Sequence, residues 1–455
     1  MELLAALWVL PVTSPPIREG AVVIAGSRLV AVGGEVQLRQ AYPDAQVTDL
    51  GEVALLPGLV NVHSHLELAV LRGRLERSDF RGWIGELIAL KAERLTVDDL
   101  LVSAQMGCLE AIRAGVTTLA DTADAPTPLM ALAESGLRGI VYQECFGPDP
   151  AQVETALDQL QRKLVEHDQF LASSTRPVTG RVRVGISPHA PYSVSASLYQ
   201  RVARWASEQR FDLALHAAES RDESQLLADG GGAFGESLRT RQIPFAPPGC
   251  SLVEYLDRLG VLATAPLLIH GVTIDPTETP RLAAHGVRLA HCPKSNAKLG
   301  HGIAPLRSWL AGGLAVGLGT DSVASNNGGD LLEEARFCAL LHRADGRDAA
   351  WPDADQMLRL LTIEGARALH LEDEIGSLEP GKRADLIAID LLQPATSPLY
   401  DPVTTLLFSA SGRDVCWTMV DGRILYEKGR VTTLDEDALL ASARQIAVKL
   451  TPPLR

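Results

Sequence analysis

Eight short apolar runs, each leading into a polar side chain and most followed by a helix-like amphipathic stretch, occupy the middle of this chain. They span 55–63, 116–121, 139–145, 182–187, 213–216, 267–270, 287–290 and 315–319, and they lead into His65, Asp121, Glu144, His189, His216, His270, His291 and Asp321. Apolar runs of this length suit strands buried on both faces, and strands alternating with helices build parallel sheets. Eight such units predict an α/β fold, a (β/α)8 TIM-type barrel, with its chemistry on the face where the strands end. A doubly wound open sheet is the alternative, but it brings the first and eighth strands together less naturally.

The flanks have a different texture. Short strands at 3–10, 21–25, 29–32, 47–49 and 53–55 are punctuated by Gly and Pro. A turn and strand at 375–390, then a hairpin of 415–420 and 423–427 around Asp421-Gly422, repeat that texture near the other end. Neither flank is long enough to bury a core alone. Residues 1–55 and 373–455, the latter with a terminal helix, are therefore expected to pair as one small discontinuous β-sandwich domain beside a barrel at 56–372. The apolar start at 3–12 reads as a buried strand, because Glu2 stands where a signal peptide carries a basic residue and no small-residue cleavage site follows. A Gly/Pro-rich insertion at 228–262 follows the fifth run, so it is expected to overhang the active face and help select the substrate.

Charge and cysteine usage exclude several functions. With 42 basic and 56 acidic residues the net charge is −14, and no basic block offers a grip on nucleic acid. No stretch approaches the roughly twenty apolar residues that a membrane-spanning helix needs. The six cysteines form no CxxC pair, which argues against a disulfide frame or a zinc knuckle and fits a reducing cytoplasm. The pairing of H-x-E with P-C-x-x-C that marks nucleic-acid base deaminases is absent, since the sequence holds no P-C-x-x-C.

His63-Ser64-His65 closes the first run. Residues i and i+2 of a strand point to one side, so two imidazoles at this spacing suit a shared metal ion. His189, His216 with Glu219 three residues on, His270, and Asp321-Ser322 stand at or just beyond other strand ends. A closed barrel makes all of these neighbours.

The segments Pro57-Gly-Leu-Val-Asn-Val-His-Ser-His65, His189-Ala-Pro-Tyr192, His216-x-x-Glu219, His270, Cys292-Pro-Lys-Ser-Asn296 and Gly319-Thr-Asp-Ser-Val-Ala-Ser-Asn326 together resemble the amidohydrolase superfamily. The resemblance is to its chlorohydrolase/cytosine-deaminase-like branch, runs nearly end to end, and includes Gly376-Ser-Leu-Glu-Pro-Gly-Lys-Arg-Ala-Asp-Leu386. It implies that His63, His65, His216 and Asp321 hold one divalent metal ion, that Glu219 shuttles protons, and that His270 contacts the reacting water or the tetrahedral intermediate, leaving Asp321 both a ligand and part of the catalytic set. Three imidazoles and a carboxylate suit Zn2+, with Fe2+ or Mn2+ as alternatives. No lysine stands at the end of the fourth run to bridge a second metal, so the site is expected to be mononuclear.

The same resemblance implies hydrolytic deamination of a modified adenine nucleoside, aminodeoxyfutalosine- or methylthioadenosine-like, in which an activated water attacks and ammonia leaves. Other C–N or C–Cl hydrolysis within the branch (guanine or cytosine deamination, triazine dechlorination, cyclic amide opening) is the alternative, and an inactive scaffold a remote one. His189 is the first candidate for a substrate contact. Glu67 is expected on the strand face of His65 if the strand continues, and Trp83 over the pocket. Ser322 and His291, the latter a packing group in the alternative reading, complete the candidates. Two positions depart from S-adenosylhomocysteine deaminases, which carry an acidic residue near Ala92 and an arginine where Gln143 stands. His65-Leu-Glu67 instead resembles aminodeoxyfutalosine deaminases. The partner is thus a small molecule, with a homodimer suggested by the family alone.

Overall fold

The first apolar run forms two strands, contrary to its reading as one. Val53–Pro57 pairs antiparallel with Leu386–Asp390, and Leu59–Ser64 (β1) begins the central fold. Gly58 makes the break: a side chain there would overlap Thr117, and its N–H donates to the Asp385 carbonyl at 3.0 Å. The computed structural model describes residues 1–76, 79–174, 178 and 180–451.

The remaining runs lie within one to two residues of their expected bounds. They are Val116–Ala123 (β2), Arg138–Cys145 (β3), Val182–Pro188 (β4), Ala214–Ala217 (β5), Leu267–His270 (β6), Arg288–His291 (β7) and Ala315–Leu318 (β8). β1 to β4 form one parallel sheet and β5 to β8 another. Single parallel bridges, Ile186 with Leu213 and Ser64 with Asp321, connect the two sheets at both seams. Strand periodicity sorts the side chains. Val60, Ala120, Ile140, Tyr142, Ala214, Ile269 and Ala290 cluster on the inside, while Leu119, Val141, Leu215, Leu268 and Leu289 pack in the core shared with the helices.

The terminal strands meet in one nine-stranded sheet. Glu2–Val9 pairs with Ile17–Ala25, Gln46–Asp49 and Val53–Pro57, which explains the apolar start as a core strand. A seven-residue helix, Glu35–Ala41, is too short to betray itself by periodicity and covers the Leu3 face through Leu38. The expected terminal helix is Glu436–Leu450; residues 452–455 lie outside the described residues. Among the described residues no helix is long and apolar enough to cross a membrane.

Phe80–Arg94 (α1) and Gly232–Thr240 (α2) border the site, whereas Leu331–Gly346 (α3) packs against β8. The Gly/Pro-rich insertion is thus partly helical: Gly230, at φ 74°, ends one helix and Gly231 leads directly into α2. A buried ion pair ties the terminal sheet to β3. Arg138 Nε donates to Asp385 Oδ2 at 2.8 Å, and its Nη2 reaches Asp421 Oδ1 at 2.7 Å. Replacing Asp385 with Ala leaves a buried guanidinium short of a counter-charge, so we expect a loss of about 3–5 kcal/mol in urea unfolding; an unchanged midpoint would show that this pair does not couple the sheets.

Candidate active site

β1 and β8 touch at their ends, and the site is built around that contact. The Asp321 N–H donates to the His63 carbonyl at 3.0 Å. Gly319 permits the approach, since a Cβ there would lie 2.9 Å from His63 Cβ. Asn61 ties the strands again, donating to Thr320 Oγ1 at 2.8 Å and accepting from the Thr320 amide at 3.1 Å. The pairing register of β1 with β2 shifts between Asn61 and Ser64, a bulge-like irregularity of the kind that re-aims side chains. Buried Asp121 fixes the histidine turn by accepting from Ser64 Oγ at 2.9 Å and from the Leu66 amide at 2.7 Å. His270 and Asp321 both adopt positive φ, 76° and 57°, conformations that non-glycine residues keep only where the surroundings enforce them.

These devices bring His63, His65, His216 and Asp321 together. Asp321 Oδ1 is 3.3 Å from His63 Nε2 and 3.5 Å from His65 Nε2. The His216 ring lies 5.1 Å from that of His63 and 5.4 Å from that of His65. Ligand atoms of His63, His65 and Asp321 lie within 4.8 Å of one another, as do those of His63, His216 and His270. Burial lowers the pKa of His63 and His216, and that of His65 to about 3, leaving imidazoles neutral and able to ligate. Asp321 stays ionised: burial would raise its pKa, but the neighbouring His63, His270 and His65 hold it well below the usual range. Ser295 and Ser325 donate to its Oδ2 at 2.5 and 2.8 Å. His63 Nε2 and His216 Nδ1 are buried without a hydrogen-bond partner. A donor set of imidazoles and one carboxylate with orphaned nitrogens fits a divalent cation.

Glu219 and His270 stand beside this cluster. His270 Nδ1 donates to Asn296 Oδ1 at 2.9 Å, which turns Nε2 toward Glu219 Oε1, 3.6 Å away. The Glu219 backbone is itself held, its N–H donating to Glu223 Oε2 at 3.2 Å.

A cavity of about 460 Å³ opens over these groups, and His65, Glu67, Trp83, His189, His216, Glu219, His270, Asp321 and Ser322 all line it. His189 Nδ1 donates to Ser193 Oγ at 2.7 Å, because that hydroxyl spends its own proton on the Ala190 carbonyl. With its pKa lowered to about 4 by burial, His189 presents Nε2 as an acceptor. Trp83 sits in α1, its ring stacked 6.3 Å from Phe80. α2 contributes Phe234, which stacks on Tyr192 at 4.0 Å, so the insertion does reach the active face.

Three candidates differ from their sequence reading. Glu67 shares no strand face with His65, because β1 ends at Ser64 and Glu67 lies in the first turn of the short helix Leu66–Leu71; it reaches the cavity from there, paired with Lys91. Ser322 spends its hydroxyl as a helix cap, accepting from the Ser325 amide at 3.1 Å. His291 faces away from the cavity and meets His342 of α3, Nε2 to Nε2 at 3.2 Å. Alternation explains it: Ala290 and Cys292 point inward, so His291 points at the helices. Sequence reading missed Lys91, Arg81, Arg241, Phe234 and His301, none of which ends a strand.

A TIM-barrel-type α/β fold with a candidate metal cluster where its strands end defines a class of metal-dependent hydrolases. Residues 54–425 match the amidohydrolase family, and the chain belongs to it. A 5-methylthioadenosine/S-adenosylhomocysteine deaminase of Pelotomaculum thermopropionicum is 33% identical over 436 residues, covering 95% of this chain and 94% of its own. A 5'-deoxyadenosine deaminase of Methanobrevibacter smithii is 30% identical over 437 residues, covering 95% and 94%. The crystal structure of an adenosine deaminase from Xanthomonas campestris with bound zinc superposes with a TM-score of 0.85 at 27% identity, covering 98% of both chains.

Glu144 supplies a test of the site's electrostatics. Desolvation pushes its pKa up to about 8. A carboxyl whose folded pKa is raised contributes stability below its unfolded pKa, and that contribution fades as pH rises toward the folded value. Glu144→Gln is therefore expected to melt near wild type at pH ~5 and above it at pH ~8; equal melting temperatures across that window would contradict the burial effect.

Proposed function

We propose that this protein is a zinc-dependent hydrolytic deaminase of an adenine nucleoside modified at its 5' position. The observation that carries the reading is that His63 shares ligand-atom reach with His65 and Asp321 on one side and with His216 and His270 on the other, beside a buried carboxylate, Glu219. The names of the relatives, deaminases of 5-methylthioadenosine, S-adenosylhomocysteine and 5'-deoxyadenosine, support the substrate class. In the same reading the eight strands close as a barrel over 56–372, supported by the single bridges at both seams. Residues 1–55 and 373–455 form the discontinuous domain, a sandwich-like unit with apolar clusters on its sheet. Six free cysteines accord with a reducing cytoplasm.

His63, His65, His216 and Asp321 would hold the ion. A divalent metal in such a site supplies Lewis acidity and makes water a nucleophile near neutral pH. Glu219 takes one proton of the attacking water and passes it to the ring nitrogen beside the attacked carbon, then carries the remaining hydroxyl proton to the exocyclic nitrogen, so that C–N cleavage releases ammonia and leaves a ring carbonyl beside a ring N–H. His270, its tautomer set by Asn296, faces the oxygen of the tetrahedral carbon. His189 Nε2 and the Glu67 carboxylate offer acceptors to sugar hydroxyls or ring N–H groups, and the Trp83, Phe80 and Phe234 wall covers the base or the 5' substituent. Gln143 turns from the cavity toward His167, 2.7 Å away, whereas Arg81 and Arg241 line the more exposed part of the wall.

An ammonia-release panel of adenine nucleosides, guanine, cytosine and chlorinated triazines tests this. We expect turnover of the nucleosides; activity confined to the other compounds would overturn the reading. Glu219→Gln should keep stoichiometric metal while losing at least about a hundredfold in kcat. Asp321→Ala should lose both metal and activity, and full metal occupancy would remove Asp321 from the ligand set.

A further inference from the structure

Glu219 is flanked by two imidazoles, of which the mechanism above uses one. His301 Nε2 lies 3.4 Å from Glu219 Oε1, the oxygen that also faces His270. The His301 side chain is 4% exposed, and its buried Nε2 has no hydrogen-bond partner, Glu219 Oε1 being its charged neighbour at 3.4 Å without hydrogen-bond alignment. Its ring stands edge-on to Phe80 with centroids 4.4 Å apart, and Phe80 is itself packed against Phe234 of α2. The ring is thus clamped between the cavity wall and the carboxylate.

The backbone places it deliberately. Gly300, at φ 73°, ends the helix Pro293–Lys298 in a left-handed turn, and the His301 N–H donates back to the Asn296 carbonyl at 2.9 Å. Asn296 also orients His270 through its side chain. One six-residue segment therefore sets both imidazoles around one carboxylate oxygen.

We propose that His301 is a positioning residue for Glu219: its Nε2–H donates to Oε1, locks the carboxylate rotamer and leaves Oε2 to carry the proton between water and the leaving amine. This role presupposes that Glu219 is the proton shuttle. A carboxylate buried this deeply needs donors, or it turns away or takes up a proton. Burial alone would raise its pKa, and the two imidazoles more than offset that. The 3.4 Å contact is long for a hydrogen bond, as catalytic contacts in unliganded enzymes commonly are before substrate tightens them.

The test compares His301→Leu, which removes the donor, with His301→Gln, which keeps an N–H. In steady-state kinetics on any substrate that releases ammonia, Leu should lower kcat by about tenfold to a hundredfold with KM and zinc content unchanged. Gln should retain most of kcat. Wild-type kcat in the Leu variant, or a Gln variant as impaired as Leu, would overturn the proposal. Activity on a ring amine outside the nucleosides would sink the substrate reading yet leave this comparison intact. A crystal structure of the Leu variant decides the matter without any substrate: Glu219 turned out of the cavity supports the role, and Glu219 unmoved contradicts it.

Discussion

The contact between the ends of β1 and β8 is the constraint on which the site depends. A backbone hydrogen bond, Asp321 N–H to the His63 carbonyl, joins the first central strand to the last, and the Asn61 side chain ties them again through Thr320. Only a glycine at 319 lets the backbones approach so closely. The contact brings a pair of imidazoles and a carboxylate within reach of one another. β5 and β6, whose ends carry His216 and His270, then complete the ring of candidate ligands and partners. Asn61, Asp121, Ser295 and Ser325 restrain these groups with hydrogen bonds, so the polar end of the fold is as tightly specified as its apolar interior.

Burial divides the acids in the cavity by what surrounds them. Glu144 is pushed up to about 8 by desolvation, which Lys91 and Lys163 offset only in part, so near neutral pH it is mainly protonated. Glu219 and Asp321 sit as deep, yet neighbouring imidazoles hold both below their usual range. Carboxyls driven apart in this way mark which of them can act as a base. Glu67 is intermediate: desolvation raises it while Lys91 opposes. Burial lowers the pKa of His63, His65, His189 and His216, favouring the neutral form that binds a metal or accepts a hydrogen bond.

The strands were legible because a buried parallel strand must be apolar on both faces, and their ends marked His63, His216, His270 and Asp321 by position. What escaped had no such signature. Gly58 splits a continuous apolar run for a reason that lies in Thr117, distant in sequence. His270 and Asp321 reach the site through left-handed backbone, which no periodicity announces. His291 has the same place at a strand end as the others, but regular alternation turns it outward to His342. Lys91 and Phe234 come from helices, and His301 from a turn after a short one; only the doublet of glycines around His301 hinted at its special backbone.

X-ray absorption of the zinc-loaded protein tests the central assignment most directly. One equivalent of zinc per chain, with imidazole scattering from three histidines, a carboxylate oxygen and no sulfur, is the result this account requires. Sulfur in the coordination sphere, or no stoichiometric zinc at all, would contradict it.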